Sequence, residues 1–210
     1  MNLSSLRLLR PLTVIAAAAA LTFATGCSDS GDPADDGSAT TTSACAPVEG
    51  TLIAAEHTVG QPRVELPQPQ NWERTAKAQE QPPVQLILLN QTLTSDGFTP
   101  NIVVTVTPSS GAFQAVIDNE LSQLRSGLGT EVPAGERGTV CGFDSYTVTY
   151  HASGAPGVPV HPITSRMIVV PTTGGASYTV VLTVQTLDPE NATYQADSRR
   201  MLDDVQVKAA

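Results

Sequence analysis

The stretch FTPNIVVTVTPSSGAFQAVIDNELSQLRSGL, residues 98–128, changes hydrophobic period once, and that change decides the fold class. Asn101 to Thr107 (NIVVTVT) is β-branched nearly throughout and is bracketed by Pro100 and Pro108. It predicts a short strand, buried on both faces and limited in length by the prolines. From Phe113 the apolar residues fall instead at Val116, Ile117, Leu121, Leu124 and Leu128, the stripe of an amphipathic helix. Asp118, Asn119, Glu120, Gln123 and Arg125 form its solvated side, Ser109 or Ser110 can cap its start, and Gly127 or Gly129 can end it.

Working outward, Arg63 to Leu66 and Gln85 to Asn90 are strand-length runs before this segment, the first closed by Pro67 and Pro69. After it, Asp144 to His151 alternates, with Tyr146, Val148 and Tyr150 on one face and Thr147, Thr149 and His151 on the other. Arg166 to Val170 and Ser177 to Thr186 are two more strands, joined through Pro171 to Ala176, where Gly174 and Gly175 suit a hairpin turn. Tyr194, Ser198, Met201, Leu202 and Val205 then recur at helical spacing after a turn at Asp188 and Pro189. Strands, helix, strands, helix is the order of an α+β domain: a central antiparallel sheet with helices packed on it.

The chain has 210 residues, enough for one domain once leader and linker are set aside. Hydrophobic residues make up 40% and charged residues 15%, which excludes a wholly disordered chain. With 11 Lys plus Arg against 20 Asp plus Glu, a net charge of −9, it offers no basic surface for nucleic acid. Residues 1–26 read as an export signal: Arg7 and Arg10 precede the apolar run Leu12 to Ala24, and small residues lead to Cys27. Thr25, Gly26 and Cys27 resemble the end of a bacterial lipobox, although Ala24 stands where Leu is usual. That resemblance implies that Cys27 carries a diacylglycerol thioether and, with palmitate-type chains, a durable membrane anchor that does not span the bilayer. Cleavage removes two arginines and no acid, taking the charge from −9 to −11. Residues 27–44 are then the lipidated terminus and a flexible acidic tether, with Asp29, Asp32, Asp35 and Asp36 and no large apolar side chain. These aspartates lack the spacing of a calcium loop. Residues 45–210 are the single globular domain.

Setting Cys27 aside leaves Cys45 and Cys141, an even number in an oxidising extracytoplasmic compartment, and a disulfide between them is the economical reading. A catalytic thiol would take a partnered base, and no motif links either cysteine to a histidine. No GxSxG, HExxH, GxxxxGK[ST] or CxxC occurs, so the sequence points to no catalytic residue, no metal and no cofactor. His57, His151 and His161 read as solvated strand-end and loop histidines. Trp72 and Phe98 each have two readings, packing residue or wall of a ligand groove. The Ala152 to Pro162 loop is either a contact surface or a tolerated insertion. Any binding cleft is expected where a helix end leaves the sheet uncovered, walled by Trp72 and that loop.

The lipobox cysteine, VELPQPQNW ending at Trp72, and FTPNIVVTV from Phe98 to Val106 together resemble the LpqN/LpqT-type lipoproteins of mycobacteria and their relatives. The resemblance covers about residues 60–207. It implies a Mog1/PsbP-like α/β/α sandwich on an actinobacterial cell envelope, assigns no catalytic residues, and implies a binding role that includes envelope glycolipid trafficking. Two functions follow as expectations. One is a non-catalytic, membrane-anchored, extracytoplasmic lipoprotein holding an acyl chain or mycolate-type glycolipid; the other is a module recruiting an envelope transport protein or a host protein without a small ligand.

Overall fold

The computed structural model describes residues 45–76, 83–128, 131–152, 159–172 and 176–210, all within one compact unit. The leader, Cys27, the acidic tether and the Gly174–Gly175 turn lie outside the described residues. Among the described residues ten strands and two α-helices follow in the order β1 (Leu52–Ala54), β2 (Arg63–Pro67), β3 (Trp72–Arg74), β4 (Val84–Asn90), β5 (Asn101–Ser109), α1 (Phe113–Leu128), β6 (Glu136–Val140), β7 (Phe143–His151), β8 (Pro162–Pro171), β9 (Ser177–Gln185), α2 (Ala192–Asp203) and β10 (Gln206–Lys208). Seven form an antiparallel sheet in the order β3-β4-β5-β9-β8-β7-β6, and β1, β2 and β10 form a separate three-stranded sheet.

Strand alternation sorts the large sheet into two faces. Ile102, Val104, Val106, Ile168, Val170, Val180, Leu182 and Val184 are buried in one core with Tyr194, Met201 and Leu202 of α2 and with Val64, Leu66 and Val207 of the small sheet. On the other face Val148, Tyr150, Ile163, Met167 and Val169 pack against Val116, Ile117 and Leu121 of α1. The helices therefore cover opposite faces, the α+β sandwich expected of the sequence.

Several local readings change. β5 is buried on one face only, since its burial alternates strictly from Asn101 to Val106 while Val103 and Thr105 stay half-exposed. Nor does Pro108 end it: the strand runs to Ser109, pairing Pro108 with Tyr178. The reason is the direction of its missing N–H. Val106 donates to the Pro83 carbonyl, so even-numbered residues point their nitrogens away from β9, and at Pro108 β4 has already ended. Helix α1 starts directly after Ala112, so neither Ser109 nor Ser110 occupies the adjoining position. Helix α2 is capped by Asn191, whose side chain accepts from the Thr193 and Tyr194 amides, and ends before the buried Val205.

Cys45 and Cys141 form a disulfide across a sequence separation of 96. Cys141 and Gly142 make the two-residue turn between β6 and β7, with Val140 opposite Phe143 and φ of 52° and 81°. Both turn residues have the positive φ of a type I′ hairpin, a conformation that glycine adopts freely and cysteine does not.

Candidate functional site

Helix α1 lies over the β7–β8 half of its face and leaves the β5–β9 half open. The floor there is built by period-two alternation: where Ile102, Val104 and Val106 face the core, Thr105 and Thr107 face the other way, beside Val181 of β9. The wall is the flank of α1, with Val116, Asn119, Glu120 and Gln123, and the end is the turn Pro108, Ser109, Ser110. Together they enclose a cleft of about 520 Å³, a volume typical of small-molecule sites.

Its lining is rich in groups that both donate and accept. Four hydroxyls and two carboxamides surround three apolar residues. Ser109 Oγ lies 2.9 Å from Ser177 Oγ, tying β5 to β9 at the cleft end. Thr179, paired across the strands with Thr107, is fully buried, and among the described residues its hydroxyl has no hydrogen-bond partner. Half-burial pushes the Glu120 carboxyl above the ordinary carboxylate range, because removing water disfavours its charged form. A second depression of about 540 Å³ adjoins this one, sharing Pro108 and Ser109 and continuing past Tyr178 and Ala176 to the fully exposed Val59. The two meet at Pro108 and Ser109, at the end of β5: the first lies on the α1 side of the sheet, the second beside Tyr178, which packs against the opposite core.

The residues weighed in the sequence as groove or site residues, Trp72, Phe98 and the three histidines, do not line this cleft. Trp72 is 1% exposed in the opposite core, and its Nε1 donates to Asp197 of α2 at 2.8 Å, so in this structure it is a packing residue with no open face. Its burial follows from its place: it opens edge strand β3 directly beneath α2. His57 and His151 are exposed, as expected of solvated histidines, but His161 is buried, 4% exposed, because the chain entering β8 turns its ring inward against Phe98 and Gln185. Phe98 is half-buried with its ring centroid 4.9 Å from that of His161. This cleft lies along the flank of α1, away from the buried Trp72, and residues 153–158 of the loop expected to wall a site lie outside the described residues. Thr105, Thr107, Asn119 and Gln123 were legible only as a strand and a solvated helix face. The signal that marks them is the regular placing of threonine opposite isoleucine and valine in residues 102–107.

A family model described as probable lipoprotein LpqN matches residues 47–208. This chain belongs to the LpqN lipoprotein family. The crystal structure of LpqN from Mycobacterium tuberculosis, a protein involved in cell envelope biogenesis, superposes with a TM-score of 0.58 at 18% identity, covering 75% of this chain and 91% of that one. At that identity the likeness to LpqN is one of fold. A mutant of the protein Mog1 aligns with a TM-score of 0.45 at 12% identity, over 75% of this chain and 96% of that chain. No match was found among curated proteins. The match to LpqN spans both helices and both sheets, so the α1 cleft lies inside the family domain.

Proposed function

We propose that this LpqN-family protein is a non-catalytic binding protein of the cell envelope, anchored to the membrane through Cys27, that holds an amphipathic glycolipid of the mycolate type. The observation that carries the reading is the hydroxyl-rich lining of the α1 cleft, bordered at Pro108 and Ser109 by a more apolar depression. A hydroxyl-rich cleft suits a sugar head group, because each hydroxyl and carboxamide can satisfy a sugar hydroxyl whichever way it turns. The apolar trough toward Val59 suits the first methylenes of an acyl chain, at about 25 cal/mol per Å² before association costs. Removing one partner of a buried sugar hydroxyl leaves that hydroxyl unsatisfied, which gives such a cleft its selectivity. Glu120 is the only carboxylate among the described residues lining the cleft, whereas two-carboxylate hydrolysis of a glycosidic bond takes a pair. Its role here is to accept hydrogen bonds.

The full chain with Cys27→Ala, purified without lipid, tests this by calorimetry and native mass spectrometry with a short-chain glycolipid. Wild-type lining should bind, and Thr105→Val with Thr107→Val should weaken binding about tenfold or more. Full affinity in the double variant would take the cleft out of the reading. No binding by the wild-type lining would favour the recruitment of a protein partner instead.

A further inference from the structure

We infer that His161 is the proton-sensitive end of a hydrogen-bond relay that runs from the chain before β8, across the end of β9, to Asn101 and Thr99. Four consecutive contacts run in a line. His161 Nδ1 lies 2.9 Å from the Pro159 carbonyl, His161 Nε2 3.1 Å from the Gln185 carboxamide, Gln185 2.9 Å from the Asn101 carboxamide, and Asn101 3.1 Å from the Thr99 carbonyl. Register places the members side by side, with Gln185 of β9 opposite Asn101 of β5 and Ile163 of β8.

Both ends of the line are backbone carbonyls, which only accept. Each carboxamide passes on one donor and one acceptor, so the polarity of the whole line is set from its ends. If Asn101 donates to Thr99, Gln185 must donate to Asn101, and the ring must donate to Gln185. If the ring also donates to Pro159, both its nitrogens carry protons. The count holds whichever way the two carboxamides are turned. An imidazolium therefore makes all four hydrogen bonds, and a neutral ring makes three. The charged groups on the surrounding elements are Asp96 before β5, Arg125 on α1, His151 at the end of β7, and Asp188 and Glu190 after β9. Among the described residues none of them forms an ion pair or hydrogen bond with the ring.

Where the missing bond falls in the neutral state follows from exposure. Asn101 and Thr99 are half-exposed, so water can replace that contact, whereas the His161 end is shut off from solvent. Acid closes the line through to Thr99; alkali lets Asn101 turn away from the Thr99 carbonyl, while the backbone bonds of Phe98 to Ser95 and of Pro100 to Asn90 keep the segment in place. The device is a hydrogen-bond relay in which one proton at the ring sets two carboxamides on two strands.

Long-range nitrogen–proton spectra of the Cys27→Ala full chain between pH 8 and 5 test it, with the exposed His57 and His151 as references in the same spectra. The expected result is that, as both His161 nitrogens become protonated, the Asn101 and Gln185 side-chain amides and the Phe98, Thr99 and Asn101 backbone amides shift in the same step. Hydrogen exchange of the Asn101 side-chain amide should slow by about fivefold, the worth of one added hydrogen bond. In Asn101→Ala the ring should still take its proton while Phe98 and Thr99 no longer follow. The inference is overturned if His161 never carries two protons in that range. It is equally overturned if it charges with the Phe98–Asn101 signals unmoved, or if Asn101→Ala leaves their response intact.

Discussion

Replacing Cys45 by Ser opens a loop closed across 96 residues, and the chain-entropy model assigns that closure about 4.7 kcal/mol at 25 °C. For a domain of this size the loss corresponds to a melting temperature lower by about 10–15 °C. Cys141→Ser opens the same loop, yet it keeps a side chain at a turn position whose φ is 52°. Cys141→Gly removes the bond and the backbone strain together, so it should be the more stable of the two position-141 variants by about 1 kcal/mol. The expected ranking is wild type, then Cys141→Gly, then Cys45→Ser and Cys141→Ser together. Thermal and urea unfolding of the Cys27→Ala chain, with and without reductant, measures it, and reductant should bring the wild-type bond to the level of the serine variants. Two outcomes refute the reasoning: serine variants that melt within 3 °C of wild type, or a glycine variant less stable than the serine one.

Trp72→Ala should destabilise the domain by about 3–5 kcal/mol through the cavity it leaves and the lost bond to Asp197, with glycolipid affinity unchanged in the folded fraction; a melt and a titration on the same sample check both. Cys27→Ala should move the protein from the detergent to the aqueous phase, and continued membrane partitioning would exclude Cys27 as the anchor. Glu120 titrates above its ordinary value in the folded state, so the native state holds its proton more tightly than the unfolded chain does. Its contribution is fully present below the ordinary carboxylate value and is lost as pH rises. Glu120→Gln should therefore be more stable than wild type at pH 7, with the gap closing toward pH 4; urea midpoints across that range measure it.

The α1 cleft explains why a site can be missed when its elements are not. The residues 101–107 announce a strand and 113–128 announce a helix, but the width of sheet that one helix covers is not a local property. Helix α1 presents a narrow stripe, Val116, Ile117 and Leu121, and a seven-stranded sheet is wider than a helix. Which half stays bare depends on where β7 and β8 sit relative to β5 and β9, and strand order is decided by pairings between residues up to 84 apart, as in Asn101 with Gln185.

His161 makes the same point from the other side. In GAPGVPVHPIT the histidine stands among Gly and Pro, and a loop composition predicts solvent. Its burial comes from Phe98 and Gln185, which are 63 and 24 residues away. The short strands β1, β3, β6 and β10 were not legible either: three residues carry too few alternations to show a period, and β6 (ERGTV) is exposed as far as Val140 and has no apolar face to show.

Legible in the sequence alone were the α+β order of strands and helices, the family, and Cys45 and Cys141 as the pair to bond. All of these rest on local composition or on residue types that can be counted along the chain. Tertiary structure decided the division into two sheets, the helix faces, the buried place of Trp72, the relay at His161 and the cleft between α1, β5 and β9. Each of these is set by long-range pairing and packing, where the free energy belongs to contacts between segments and no single segment carries its signature.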